Sequence, residues 1–261
     1  MRRLIGMFVL LHAASLFLVA RNWAEQPKKC PGDSVKVGPS CVDRFEASVW
    51  SVSDPTKVKS LRTLAQSGNA TLRRLHALGA VQHGVTEPDY PCSKNGNDCK
   101  DAIFAFSIAG VKPSAYITRF QAQQAAANSG KRLLSNGEWQ MAAAGTPDPG
   151  TDDGSTDCNI SFGGPVNTGS RDNCKSAWGV FDMVGNVSEW VADWVPRSNA
   201  CGSWGSFTDD FQCFAGAARD GEPGALLRGG GAHGGSVAGV FAVFGLAGPS
   251  AVETAGFRCG R

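Results

Sequence analysis

The sequence predicts a loop-rich α+β fold with short strands and few helices, not a helical bundle, and three observations carry this. Glycine takes 33 of 261 positions, about twice its usual share of roughly 7%, and glycine is the residue of turns and left-handed backbone. Strand-like stretches are short and scattered, at 42–49, 102–109 and 188–194. Two helices carry the clearest sequence signals, one over 117–128 and one opening at Ser135.

A hydrophobic share of 42% is ordinary for a globular chain, and 261 residues suffice for one large domain or two small ones. The net charge of +2 gives no electrostatic reason to expect nucleic acid or an anionic membrane surface as partner, and nothing in the sequence reads as a basic stripe. Arg2 and Arg3 precede an apolar run from 4 to 20, the layout of a secretory signal peptide spanning residues 1–24. An uncleaved anchor is the competing reading, and only then is the membrane a partner. Export agrees with nine cysteines, whose spacings pair as 30–41, 92–99, 158–174 and 201–213 and leave Cys259 over. Zinc is disfavoured because no C-x2-C occurs.

Taken in order, residues 42–49 (VDRFEASV) nearly alternate apolar and polar and read as a strand. Leucines at 61, 64, 72, 75 and 78 fall at helical spacing on either side of a break at Gly68–Asn69. The Cys92–Cys99 loop brackets Asn95-Gly96-Asn97-Asp98, a turn. No Pro/Ser-rich linker sets 51–113 apart, so the region is an elaboration of one domain over 25–261. Thr118 is a fitting N-cap for the 117–128 helix, with Gly130 beyond its end. Ser135 and Glu138 form a capping box for the next helix, with Gly145 closing it. The alanines at 122, 125, 126, 142, 143 and 144 point to close backbone approach, and Trp139 reads as core.

The stretch 181–194, FDMVGNVSEWVADW, fits neither regular period. It reads as a tight turn at Gly185–Asn186 running into a buried strand. Asp182, Glu189 and nearby carbonyls are oxygen donors of the kind that suits Ca2+. The alternative is a turn whose acids bond only to local N–H groups.

This stretch resembles the DMxGNVWEW signature of the formylglycine-generating enzyme (sulfatase-modifying factor) family. CVDRFEASVW (41–50), the run 117–150, LLRGGG (226–231) and GFRC (256–259) recur in the family's order. The resemblance implies a variant of the C-type lectin fold, α+β and rich in loops. It implies a structural calcium held by Asp182, Gly185, Val187 and Glu189, and a partial match to a second site at Asn159. It also implies a loss. The family's oxidases bind copper(I) through a cysteine pair after RGGS, because two thiolates are the soft ligands that select that ion. Here those positions are Gly234 and Gly239, and the active-site serine position is Gly231, so copper is not expected. The expected function is therefore an exported, non-catalytic module that binds an unknown ligand or protein. The alternative is an oxidase, of formylglycine or nonheme-iron type, with an unrecognised metal site. His76, His83 and His233 are its histidine candidates, of which His233 lies in the former active-site strand.

Overall fold

The computed structural model of the protein describes residues 29–196 and 223–261. The leader at 1–24 and the 201–213 cysteine pair lie outside the described residues. No helix among the described residues is long and apolar enough to cross a membrane.

Three small sheets form the frame. The first runs β1 (Ser34–Val37), β2 (Ser40–Asp43), β11 (Cys259–Gly260) and β6 (Arg132–Leu133), so the end of the chain lies between two early elements. The second orders β4 (Val81–His83), β3 (Ala47–Ser51) and β5 (Phe104–Ser107), all antiparallel. The third orders β10 (Ala255–Phe257), β7 (Ser188–Pro196), β8 (Pro223–Arg228) and β9 (Val243–Leu246). Here β10 joins β7 in parallel, and a bulge shifts the β7–β8 register between Trp190 and Trp194.

The strand expected over 42–49 is two strands. The chain breaks at Arg44–Glu46 because the Glu46 carboxylate leaves the sheet to accept from Asn186 Nδ2 and the Val187 N–H. The leucine run also divides where expected: α1 (Val58–Ser67) ends at Gly68 in the left-handed conformation, and α2 (Leu72–Leu78) starts on the Thr71 cap. Leu61, Leu64 and Leu75 pack with Trp50, Phe104 and Phe106 on the β4–β3–β5 sheet. The better-signalled helices are α3 (Arg119–Asn128) and α4 (Asn136–Ala143), each with a complete capping box, from Thr118/Gln121 and Ser135/Glu138. Ala122, Ala125 and Ala126 let α3 sit close against Ala47, Ile103, Leu133 and Phe257. Trp139 is fully buried among Val42, Leu134, Met183 and Val191.

Disulfides join Cys30–Cys41, Cys92–Cys99 and Cys158–Cys174, three of the pairings read from spacing, and Cys259 is free and buried. Each closes a loop where little regular structure restrains the chain, which limits the freedom of the unfolded state.

Candidate functional site

The 181–189 turn holds three left-handed residues: Asp182 (φ 58°), Gly185 (φ 75°) and Asn186 (φ 57°). A Cβ on Gly185 would lie 2.2 Å from the Asn159 carbonyl oxygen, so glycine is required there for space as well as for φ. The Asn186 N–H donates to that same carbonyl at 2.7 Å. Asn186 Oδ1 accepts from the Val166 N–H (2.8 Å) and Asn159 Nδ2 (3.0 Å). The turn therefore knits together the β2–β3 break, the 159–166 loop and its own strand.

It also shapes the glycine-rich segment after β8. Gly229 accepts from the Gly185 N–H at 3.1 Å, and Asn186 accepts from the Ala232 N–H at 3.0 Å. Residues 231–239, expected as a strand, are instead a turn leading into a short 3-10 helix, Gly235–Val237. Ladder bonding is replaced by local bonds, Gly234 N–H to Gly231 and Gly239 N–H to Gly229.

Under the turn lies a buried charge cluster. Glu189 accepts from Trp139 Nε1 at 2.7 Å on one oxygen and from Arg258 Nη2 at 2.7 Å on the other. Arg258 is fully buried and also donates to the carbonyls of Asp43 (3.1 Å) and Phe181 (2.7 Å). Asp182 accepts from the Gly169 N–H at 2.7 Å. Burial, with Asp182 and Glu189 nearby, pushes the Glu46 carboxyl well above its usual range, and burial pushes Asp182 up to about 6. Three buried carboxylates thus face one buried guanidinium.

The predicted calcium donors fit a cation in part. Asp182 and Glu189 share the cluster, and the buried Oδ1 of Asn159 has no hydrogen-bond partner. Both Glu189 oxygens, however, already accept from Arg258 and Trp139. Among the described residues, Glu46, Asp182 and Glu189 do not close into a three-carboxylate cage; the one such group of ligand atoms is Cys92, Asp98 and Cys99. Its two cysteines are a disulfide and offer no thiolate. The histidines are also kept apart. His83 bonds Ser51 and faces Asp89, His76 stands beside Trp50, and His233 faces Glu253 at 3.9 Å.

The glycine segment forms one wall of a cavity of about 310 Å3, with Ser188, Leu227, Phe244 and Thr254 opposite and His233 at its edge. Gly231 and Gly234 line it. A Cβ on Gly231 would meet Thr254 at 2.9 Å, and one on Gly234 would meet Ala238 Cβ at 3.0 Å. The positions of the missing serine and first cysteine are thus closed down by packing as well as by residue type. Cys259 cannot stand in: it pairs with Leu133 in a different sheet, and burial pushes its thiol far up.

Residues 82–261, from β4 to the last residue, match the family model of the sulfatase-modifying factor enzyme 1-like domain. The chain belongs to this family. Its fold is accordingly the loop-rich α+β variant of the C-type lectin fold that the motifs implied. No curated protein matches the sequence. Similar solved structures include the Major Tropism Determinant M1 variant (18% identity, TM-score 0.47, 91% of this chain and 55% of that one). PvdO from Pseudomonas aeruginosa is similar too (19%, TM-score 0.40, 85% and 80%), as is CarF (16%, TM-score 0.43, 85% of each). The chain thus spans about half the length of the Major Tropism Determinant chain it resembles.

Glu46 and Arg258 stood inside the quoted motifs but were not read as parts of the site, and Asn186 was read as a turn residue without its side-chain partners. Their signal was a charged or amide side chain among apolar neighbours in stretches otherwise patterned for burial.

Proposed function

We propose that this family member is an exported binding module that does not make formylglycine. The observation that carries this is the glycine segment: Gly231 and Gly234 on the cavity wall, and Gly239 beyond it, stand where the chemistry needs a hydroxyl and two thiolates. The free thiol among the described residues, Cys259, is buried in another sheet. The three disulfides favour an oxidising compartment outside the cytoplasm. The ligand or protein partner engages the cavity edged by His233, while the buried turn holds the wall in place. A structural calcium is part of the proposal, taking oxygens from Asp182, the Gly185 and Val187 carbonyls and Asn159, with Glu189 as a member of the same cluster. It would offset the excess of buried negative charge.

Incubating copper-treated protein with a sulfatase-motif cysteine peptide under oxygen should leave the peptide thiol unconverted by mass spectrometry. Turnover above a copper-only control, abolished by Cys259→Ser, would replace the binding module with a one-cysteine oxidase.

A further inference from the structure

The α1–α2 hairpin precedes the family-matched segment and carries a second surface. Between positions 55 and 80 the sequence has Lys57, Lys59, Arg62, Arg73 and Arg74 and no acid at all. Without those five charges the chain would be net negative, so the positive balance that gave no stripe in the sequence is concentrated on one helical hairpin. Folding leaves most of it unneutralised. Arg62 pairs with Asp101 and Lys57 lies near Asp54, but Lys59, Arg73 and Arg74 meet no carboxylate among the described residues.

The two helices enclose a groove of about 570 Å3 flanked by Lys59 and Arg74. Its floor is Leu64 and Leu78, and its walls carry Ser60, Thr63, Ser67 and Asn69. Thr63 donates to the Lys59 carbonyl at 2.9 Å, and Ser67 donates to that of Leu64 at 2.9 Å while accepting from the Asn69 N–H at 3.3 Å; both side chains are exposed, and the Thr63 oxygen keeps its acceptor capacity toward solvent. Arg74 is steadied by a 2.9 Å bond to the Asn69 carbonyl. A floor of aliphatic carbon, hydroxyl acceptors and flanking cations matches a ring that has apolar faces, many O–H donors and an acidic substituent.

We propose that this groove binds an acidic saccharide, bearing sulfate or carboxylate groups, at a site separate from the glycine-walled cavity. Charge complementarity selects the anion. The hydroxyl-lined walls favour a saccharide over a lipid surface, which would call for large apolar side chains at the rim. The preference over nucleic acid rests on the exported reading, and a separate arm of the test addresses it.

The test uses the full mature chain and immobilised heparin, with neutral dextran, phosphatidylglycerol vesicles and duplex DNA as comparisons. Retention on heparin should fall as salt rises. Lys59→Glu/Arg74→Glu should weaken it by about tenfold or more, as should Ser60→Trp, which fills the groove at constant charge. Lys100→Glu, an exposed lysine outside the hairpin, should leave it within about twofold. Circular dichroism and the thermal midpoint identify any variant that fails to fold, and the two groove variants back each other up. The proposal is overturned if heparin is not retained, if Ser60→Trp and the double reversal both bind as wild type, or if dextran, vesicles or DNA bind as tightly. Oxidation of the sulfatase peptide reads the other cavity, so the two proposals fail independently.

Discussion

Replacing Arg258 by methionine removes the guanidinium while keeping much of the apolar stem. In the folded protein that guanidinium bonds both oxygens of Glu189 and the carbonyls of Asp43 and Phe181. Its loss leaves Glu46, Asp182 and Glu189 buried with no guanidinium among them, and Arg171 is already turned toward Asp152 and Asp153. Removing one partner of a buried pair costs about 3–5 kcal/mol, because the remaining charge stays desolvated. For a chain of this size that is a fall in thermal midpoint of roughly 6–20 °C. Arg258→Lys keeps the charge but not the planar fork, and should lose less. Glu189→Gln in the Arg258→Met background should recover part of the loss, giving a non-additive cycle. Denaturant melts of the four proteins measure this. A loss below about 1 kcal/mol for Arg258→Met, or a strictly additive cycle, would refute the view that the pair organises the buried cluster.

Four further outcomes are expected. Burial raises Asp43 to about 6 against the pull of Lys131, so the folded state holds its proton more tightly than the unfolded chain. That contribution is fully present below the unfolded value near 3.8 and is lost as pH rises through about 6, by about 3 kcal/mol; Asp43→Asn should flatten the stability profile in that window, and an unchanged profile counts against it. Gly185→Ala should cost about 2–4 kcal/mol by strain and by the clash with Asn159, whereas Gly163→Ala, also left-handed (φ 82°) but with open space around it, should cost about 1 kcal/mol; equal losses would show that φ alone matters. Cys259 should resist iodoacetamide in the native protein and react in guanidinium, and rapid native alkylation would contradict its burial. Calcium should raise the thermal midpoint of the wild type but not of Asp182→Ala/Glu189→Ala, and equal or absent shifts would remove it from the site.

Local signals settled what depends on near neighbours. Capping boxes at Thr118 and Ser135, the break at Gly68, and the cysteine pairs 30–41, 92–99 and 158–174 each encode a structure formed within a short stretch of chain, and these appear as read. So does the tight turn at Gly185–Asn186, because its left-handed backbone is a property of the residues themselves. The family was legible for the same reason, since its motifs are runs of adjacent residues. What tertiary structure alone decided is where those runs meet. Glu46 leaves its strand because Asn186 and the Val187 N–H lie 140 and 141 residues away in sequence and next to it in space. Arg258, just past the end of β10, is a core residue because its guanidinium meets the Glu189 carboxylate of the neighbouring β7, and no spacing rule links positions 69 residues apart. The glycine segment is a turn and not a strand because bonds from Gly185 and to Asn186 fix its path. Likewise, Lys59 and Arg74, 15 residues apart in sequence, come to flank one groove only when α1 and α2 fold back on each other, since a sequence gives charge along the chain and the fold assigns it to a surface.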